Sequence, residues 1–179
     1  MDITPRAIVA IVGRPNVGKS TLINSLTNRS SLAKASRTPG RTQAINFFLI
    51  NDGISFVDLP GYGFARVPEK MRLSWGPMVE AYLAGRENLR LVVLILDIRR
   101  ELRDEDRNLL LWLADKGLPW QLVLTKADKL SKQQALGRRQ LIEEQAGITG
   151  VQRPLLFSSR TGQGRDLLWN IIAGVAALP

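Results

Sequence analysis

Short apolar runs alternate with amphipathic stretches along most of the chain, and each apolar run stops at a polar or glycine residue. Runs rich in Val, Ile, Leu and Phe predict buried strands, whereas longer segments with apolar residues at helical spacing predict helices. The predicted strands span 8–12, 44–50, 54–57, 91–96, 121–124 and 155–157, and the predicted helices span 20–26, 69–83, 104–116, 131–145 and 166–177. Since strands and helices alternate after the first hairpin, the pattern predicts an α/β fold with a mostly parallel, six-stranded sheet and helices on both faces.

A turn signal identifies the one strand that is expected to run antiparallel. Asn51-Asp52-Gly53 separates 44–50 from 54–57, and a short Gly-containing connection between two strand patterns is typical of a β-hairpin. Residues 28–43 differ from their neighbours because they are polar, lack periodicity and contain the turn signal Thr38-Pro39-Gly40. We therefore expect a mobile loop before the hairpin.

Length and composition indicate one domain and narrow the possible chemistry. At 179 residues with 45% hydrophobic content, the chain can form a central sheet covered on both faces, and we expect a single domain over 1–179. The absence of cysteine excludes disulfides and thiolate metal sites, and the absence of histidine excludes an imidazole base or ligand. Chemistry must come from backbone amides, lysine, carboxylates, hydroxyls and a bound metal ion.

The net charge is +9, with a sequence pI near 10.6. Such an excess of positive charge favours a polyanionic partner such as nucleic acid, and the alternative is charge that only keeps the protein soluble. The apolar run 8–12 is too short for the core of a signal peptide, and no segment approaches membrane-spanning length. We expect a cytoplasmic monomer that does not bind membranes.

The stretch from Gly13 to Ser20 has the spacing G-x-x-x-x-G-K-S between a strand pattern and a helix pattern, which predicts a phosphate-binding loop. Glycines let successive backbone N–H groups face one anion, and the helix N-terminus adds its positive dipole. Lys19 is expected to reach the β- and γ-phosphates, and the Ser20 hydroxyl to ligate Mg²⁺. The predicted contacts are Gly13, Arg14, Pro15, Asn16, Val17, Gly18, Lys19, Ser20 and Thr21. A Gly-rich turn that binds nothing is the alternative.

The sequence Asp58-Leu59-Pro60-Gly61 follows the strand pattern 54–57. A carboxylate at the end of a buried strand can hold the hydration shell of Mg²⁺, and Gly61 lets a backbone N–H approach the γ-phosphate. We therefore expect Asp58 to act on the metal through water. An aspartate that only forms a turn or caps a helix is the alternative.

Thr125-Lys126-Ala127-Asp128 follows a later strand pattern and predicts which base is bound. Guanine presents two adjacent donors, N1–H and N2–H₂, which one ionised carboxylate can accept, whereas adenine presents an acceptor at N1. Asp128 therefore predicts guanine, and Lys126 can lay its methylene stem along the base. Phe157-Ser158-Ser159 ends the last strand pattern, and its serines can offer a backbone N–H to guanine O6.

These motifs resemble the EngB family (also called YihA or YsxC) of ribosome-biogenesis GTP-binding proteins. The resemblance covers nearly the whole chain and rests on G-R-P-N-V-G-K-S-T-L-I-N, T-P-G-R-T-Q-x-I-N-F-F, D-L-P-G-Y-G, W-G-P-M-V-E-A-Y-L, L-T-K-A-D-K-L-S-K and F-S-S. Era and EngA relatives share the phosphate loop, but the combination of T-P-G-R-T-Q-A-I-N-F-F with D-L-P-G-Y-G and T-K-x-D is similar to EngB.

The resemblance implies a Ras-like P-loop GTPase domain in which 40–44 form the first switch and 58–61 open the second. The implied first-switch residues are Gly40, Arg41, Thr42, Gln43 and Ala44. Thr42 is the implied Mg²⁺ ligand of the GTP state, and Thr38 is its alternative. The expected catalytic residues are Lys19, Thr42 and Gly61.

Three positions affect the expected rate of GTP hydrolysis, the contact with guanine and the binding of a monovalent cation. Tyr62 stands where Ras-type proteins have the glutamine that orients the attacking water, so we expect slow intrinsic hydrolysis that a partner stimulates. Thr125 stands where the general guanine motif has asparagine, which leaves its contribution open. Asn16 is the expected contact for a monovalent cation, potassium, as resemblance to cation-dependent GTPases suggests.

The resemblance implies a switch that binds GTP and GDP, hydrolyses GTP and acts in assembly of the large ribosomal subunit. Its implied partner is that subunit or its precursor, through rRNA and ribosomal proteins, and a need in cell division and septation is also expected. One alternative is a nucleotide-gated RNA- or protein-binding module with negligible turnover. Another is a phosphoryl-transfer kinase, against which Asp128 and the lack of an Arg-rich lid argue.

Overall fold

The structure is a computed structural model of the chain, and it describes residues 7–33, 45–50, 53–63, 69–147 and 153–177. The strands are β1 (Ala7–Gly13), β2 (Asn46–Ile50), β3 (Ile54–Asp58), β4 (Leu89–Asp97), β5 (Trp120–Thr125) and β6 (Leu155–Leu156). The helices are α1 (Lys19–Thr27), α2 (Glu69–Ala84), α3 (Asp104–Asp115), α4 (Lys132–Ala146) and α5 (Arg165–Ala176), with a 3₁₀ turn at Ala127–Lys129. None of the helices in these ranges combines the length and apolar content that crossing a bilayer requires.

The six strands form one sheet in the order β2-β3-β1-β4-β5-β6. Every neighbouring pair is parallel except β2 and β3, which confirms the predicted α/β fold with one antiparallel strand. The parallel strands end at the same edge, where Gly13, Asp58, Asp97 and Thr125 lie. Ligands of open α/β sheets bind at this edge, so the topology brings the predicted motifs together.

The central strand β1 alternates its side chains between two hydrophobic cores. Ile8, Ala10 and Val12 pack with residues from α2, α3 and α4, whereas Val9 and Ile11 pack with residues from α1 and α5. All five side chains are buried, as expected of a strand between two helical layers. Packing on both faces fixes β1, and with it the loop that begins at its end.

The strand β6 is shorter than predicted. It contains only Leu155 and Leu156 and ends one residue before Phe157. The Phe157 N–H donates to the Leu124 carbonyl at 2.8 Å, and the Phe157 carbonyl accepts from the Ala127 N–H at 3.1 Å. These two hydrogen bonds hold the end of β6 against the motif 125–128, which follows β5.

Candidate guanine-nucleotide site

The phosphate loop connects β1 to α1, and glycine is required at both of its ends. A Cβ atom at Gly13 would lie 2.8 Å from the Ile95 carbonyl oxygen and 2.9 Å from the Val17 side chain. Gly18 has a φ of +100°, in the left-handed region, and stands at the N-cap of α1. The helix consequently begins at Lys19 with its positive end facing the loop, an arrangement that favours a bound anion.

Lys19 and Asp58 face each other beside this loop. The Lys19 Nζ lies 3.9 Å from Oδ1 of Asp58 and donates to the Gly13 carbonyl at 3.4 Å. Burial lowers the pKa of Lys19 and raises the pKa of Asp58, and the opposite charge of the partner counteracts each shift. A phosphate that reached Lys19 would favour its charged form.

The residues of this corner fit a magnesium ion. Oδ1 of Asp58 is buried and accepts no hydrogen bond from the described residues, so it can accept one from metal-bound water. Among those residues, no group of three or more aspartate and glutamate side chains converges. Nucleotide-bound Mg²⁺ takes only one or two protein carboxylates and keeps several waters, so a single carboxylate such as Asp58 is enough.

The backbone at Gly61 lies directly against the phosphate loop. A Cβ atom at Gly61 would lie 3.3 Å from each of three atoms, the Gly13 carbonyl oxygen, the Lys19 Nζ and the Pro15 nitrogen. A larger residue would therefore separate the two segments. Gly61 is also where the sequence predicted a backbone contact to the γ-phosphate.

The hydroxyl of Thr125 holds the phosphate loop against β5. Its Oγ1 donates to the Val17 carbonyl at 2.5 Å and lies 3.3 Å from the Leu96 carbonyl oxygen. Thr125 is 3% exposed, so both contacts are shielded from water. Thr125, which stands where the general guanine motif has asparagine, thus supports the phosphate loop. The sequence alone had left the role of Thr125 open.

Lys126 reaches back to the same loop. It has a φ of 60°, which is uncommon for a residue other than glycine. Its Nζ donates to the Asn16 carbonyl at 2.9 Å and pairs with Oδ2 of Asp97 at 2.9 Å. These two contacts fix the ammonium end of Lys126 and leave its methylene stem beside the space predicted for the base.

Asp97 is a residue of this site that sequence reasoning did not identify. Its carboxylate is fully buried and accepts from Arg99 at both oxygens, from Nε at 3.0 Å and from Nη2 at 2.8 Å. Burial alone would raise the pKa of Asp97, but the hydrogen bonds from Arg99 and Lys126 outweigh burial and hold the pKa well below its ordinary value. An aspartate at the end of a fully apolar central strand is the signal that could have revealed it.

Five of the seven predicted base-binding residues line one cavity of about 210 Å³, and the side chains of Ala127 and Ser158 are not among its lining. The residues that line it include Gly18, Thr21, Lys126, Asp128, Phe157 and Ser159. The Ser158 hydroxyl donates to Oδ1 of Asp128 at 2.7 Å and accepts from the Thr161 N–H at 3.2 Å. The hydrogen bond from Ser158 lowers the pKa of Asp128, so its carboxylate is ionised at neutral pH and can only accept.

Comparison with known proteins identifies the family. A family described as "50S ribosome-binding GTPase" matches residues 8–126. A "Probable GTP-binding protein EngB" of Geobacter sulfurreducens is 50% identical over 169 residues, which are 94% of this chain and 82% of the relative. Its counterpart in Syntrophus aciditrophicus is 54% identical over 158 residues, 88% of this chain and 80% of the relative. The chain belongs to the EngB family of GTP-binding proteins. It is a P-loop GTPase of the ribosome-biogenesis type, as the motifs predicted.

The solved structures agree with this assignment at the level of the fold. The crystal structure of a probable GTP-binding protein EngB superposes with a TM-score of 0.79 at 22% sequence identity. The match covers 95% of this chain and 98% of that chain. The arrangement of strands and helices described here is therefore that of an EngB GTPase.

Some residues predicted to bind nucleotide in this EngB-family chain turn their side chains elsewhere. Arg14 is 3% exposed, and its guanidinium contacts the Glu101 carbonyl and the Asp106 carboxylate. Leu59 is fully buried in the core formed with α2, α3 and α4. For both residues, only the backbone is left to face a ligand.

The first switch lies outside the described residues. That set comprises Gly40, Arg41, Thr42, Gln43 and Ala44, together with the alternative metal ligand Thr38. Their predicted roles remain predictions. The structure brings together the other predicted segments, 13–21, 58–61, 125–128 and 157–159, at one edge of the sheet.

Proposed function

We propose that this single-domain EngB protein is a GTP-dependent switch in assembly of the large ribosomal subunit. It works in the cytoplasm as a monomer, binds the subunit or its precursor in the GTP form, and leaves after hydrolysis. We also propose that the protein is needed for normal cell division and septation. The single observation that supports the proposal best is the exposed positive charge around the base end of the site.

That charge is smaller than the sequence alone suggests. Residues 125–165 contain eight basic and three acidic side chains. Arg138 is used structurally, because its guanidinium donates to the Ile98 carbonyl at 3.1 Å and to the Arg100 carbonyl at 2.7 Å. Arg153 pairs with Glu143 at 3.6 Å.

Three basic side chains of this region are exposed and make no hydrogen bond or ion pair described here: Lys129, Lys132 and Arg160. Lys129 and Arg160 also line the cavity that Asp128 faces. Positive charge at this rim is suited to rRNA phosphates, which supply affinity without reading sequence. The description of the matching family as "50S ribosome-binding" supports a ribosomal partner.

Nucleotide dependence is proposed to come from the two switches. Lys19 contacts the β- and γ-phosphates, and Gly61 donates its backbone N–H to the γ-phosphate. Ser20, Thr42 and, through water, Asp58 would hold Mg²⁺, which would supply positive charge to these phosphates. Loss of the γ-phosphate releases both switches, so the ribosomal contact made in the GTP form weakens.

Slow intrinsic hydrolysis is proposed from the position of Tyr62. Its hydroxyl is bound to Asp106 inside the protein, at 2.6 Å, and a phenol held there cannot orient an attacking water. A potassium ion beside Asn16 is proposed as an additional activator. Turnover compared in potassium and in sodium tests that contact, and equal rates would remove it.

The proposal is tested by sedimenting the protein with large-subunit particles over a range of salt concentrations. Lys132→Gln and Arg160→Gln should each lower the log–log salt slope by about 0.7–0.9, because each removes one phosphate contact. Lys116→Gln is the matched control, since Lys116 is an exposed lysine at the C-cap of α3 and pairs with Asp115. Binding that ignored both salt and nucleotide would contradict an RNA contact and favour a protein–protein contact.

A further inference from the structure

A buried charged network joins the phosphate loop, the second switch and helix α3. Its centre is Asp106, in the first turn of α3, which is 1% exposed. Oδ1 of Asp106 accepts from the Tyr62 hydroxyl at 2.6 Å, and Oδ2 pairs with Nη2 of Arg14 at 3.1 Å. Arg14 is 3% exposed and Tyr62 is 4% exposed, so all three groups are removed from water.

The carboxylate of Asp106 has further partners at the same point. Its Oδ2 accepts from the Arg103 N–H at 2.9 Å, and Nη2 of Arg14 also donates to the Glu101 carbonyl at 2.9 Å. A buried ion pair is retained only where such contacts compensate for the lost hydration. Apolar residues could fill this space without losing any hydration of charged groups. The role of the network is therefore indicated by the segments that it connects.

Those segments meet at Gly61. Its neighbour Tyr62 is bound to Asp106, and its other neighbour Pro60 accepts a hydrogen bond from the indole N–H of Trp75 in α2. The rings of Tyr62 and Trp75 pack with their centroids 4.8 Å apart. Gly61 is thus held from both sides, by α2 and by α3, while its backbone touches the phosphate loop.

The phosphate loop is held by the same carboxylate. Arg14 directly follows Gly13, and the stem of Arg14 also lies 3.5 Å from the position that a Cβ of Gly63 would take. The Asp106 carboxylate therefore contacts both Arg14 of the phosphate loop and Tyr62, which is next to Gly61. A shift of either segment would break one of these two contacts.

We propose that Asp106 is a positioning residue for GTP hydrolysis, which sets the distance between the phosphate loop and Gly61 by binding Arg14 and Tyr62. GTP depends on that distance because its γ-phosphate would lie between the two backbone segments, whereas GDP, which lacks the γ-phosphate, would contact only the phosphate loop of the two. The inference rests on the GTPase activity of the family and on the proposed contact of Gly61 with the γ-phosphate. It does not depend on the ribosomal partner.

The decisive variant is Tyr62→Phe, which removes one hydroxyl and keeps the ring against Trp75. The matched control is Tyr82→Phe, because Tyr82 lies in the same core and its buried hydroxyl has no hydrogen-bond partner among the described residues. We expect Tyr62→Phe to lower kcat by about tenfold, the change that loss of a hydrogen bond to a charged group supports. Its affinity for a non-hydrolysable GTP analogue should fall relative to GDP, with an unchanged GDP affinity. Its melting temperature should also fall, because Oδ1 of Asp106 stays buried without that hydrogen bond. Tyr82→Phe should leave all four values unchanged.

A second pair of variants addresses the carboxylate itself. Asp106→Ala removes the acceptor for both partners, whereas Asp106→Asn keeps an amide oxygen for Tyr62. We expect Asp106→Asn to recover part of the kcat lost in Asp106→Ala, and Tyr62→Phe to add little to Asp106→Ala. If Asp106→Ala does not fold, the comparison of Tyr62→Phe with Tyr82→Phe still tests the proposal.

Two results would overturn the inference: a Tyr62→Phe variant with wild-type kcat and wild-type GTP-to-GDP preference, or one in which GDP and GTP affinities fall equally. The second result would mean that the network only stabilises the fold. Failure of the wild-type protein to bind large-subunit particles would remove the proposed function but would leave this inference intact.

Discussion

The Ser158 hydroxyl donates a hydrogen bond of 2.7 Å to Oδ1 of Asp128, and so joins the loop after β6 to the motif after β5. The two segments are far apart in sequence, and the sheet places them side by side. The contact orients the Asp128 carboxylate and lowers its pKa. Guanine selection is therefore expected to depend on this pair.

Asp128→Asn should weaken guanine nucleotides and favour xanthine nucleotides. The amide can donate to the C2 carbonyl of xanthine while its oxygen still accepts from N1–H, but it cannot accept both guanine donors. We expect a loss of about 1–3 kcal/mol for GDP, measured by titration calorimetry against XDP. Asp115→Asn, on the exposed end of α3, is the control. Wild-type GDP affinity in Asp128→Asn would show that another residue selects the base.

Thr125→Val should weaken GDP and the GTP analogue equally. Valine has nearly the same shape, but it cannot donate to the Val17 carbonyl, which is left buried without that bond. The expected cost is about 1–3 kcal/mol in nucleotide affinity or in the free energy of unfolding. Thr27→Val is the control, because among the described residues the Thr27 hydroxyl bonds only within α1. An effect confined to one nucleotide would contradict a purely supporting role.

Ser20→Ala and Thr42→Ala should differ although both remove a predicted metal ligand. Ser20 belongs to the phosphate loop, so its loss should impair Mg²⁺-dependent binding of both GDP and GTP. Thr42 is expected to reach the metal only when the γ-phosphate orders the first switch, so its loss should affect chiefly GTP. Binding of fluorescent nucleotides at varied Mg²⁺ separates the two patterns. Equal losses for both nucleotides in Thr42→Ala would make Thr38 the better candidate.

Asp97 should make folding stability depend on acid pH. Its pKa is below the ordinary value of 3.8 in the folded protein, so the unfolded chain takes up the proton first as the pH falls. The stability that Asp97 contributes is present above about pH 4 and is lost as the pH drops through the folded pKa. Asp97→Asn should lower the free energy of unfolding by about 2 kcal/mol at neutral pH and flatten its acid dependence.

Urea denaturation of the nucleotide-free protein at several pH values measures this effect. Asp104→Asn is the matched control, because Asp104 is exposed and, in the described part of the chain, pairs only with Arg107 on the surface of α3. An acid dependence in Asp97→Asn as steep as that of the wild type would mean that other carboxylates carry it.

The fold and the main motifs were predictable because their causes are local. The apolar run at 8–12 specifies a buried strand, and the spacing from Gly13 to Ser20 specifies the turn into α1. Asp58 and Asp128 were found because each follows a strand that ends at the ligand edge. Because parallel strands end at the same edge of the sheet, the fold class alone predicts that Asp58 and Asp128 lie at one edge.

Contacts between segments distant in sequence could not be predicted. Arg14 and Asp106 are 92 positions apart, and nothing near Asp106 distinguishes it from Asp104 and Glu105 beside it. Only the packing of α3 against the phosphate loop decides which of these acids is buried. β6 was predicted one residue too long for a similar reason, since the Phe157 carbonyl accepts from Ala127 in the turn after β5.

The central proposal is that the protein is a GTPase that acts as a ribosome-assembly switch. Its most direct test is single-turnover hydrolysis of GTP, measured with and without precursors of the large ribosomal subunit. The protein alone should hydrolyse GTP slowly, because the Tyr62 hydroxyl is bound to Asp106 and no glutamine follows Gly61. Added precursor particles should accelerate hydrolysis, and the particles should be released afterwards. A rate that the particles leave unchanged, with binding that persists in GDP, would contradict a switch and indicate a binding module with negligible turnover.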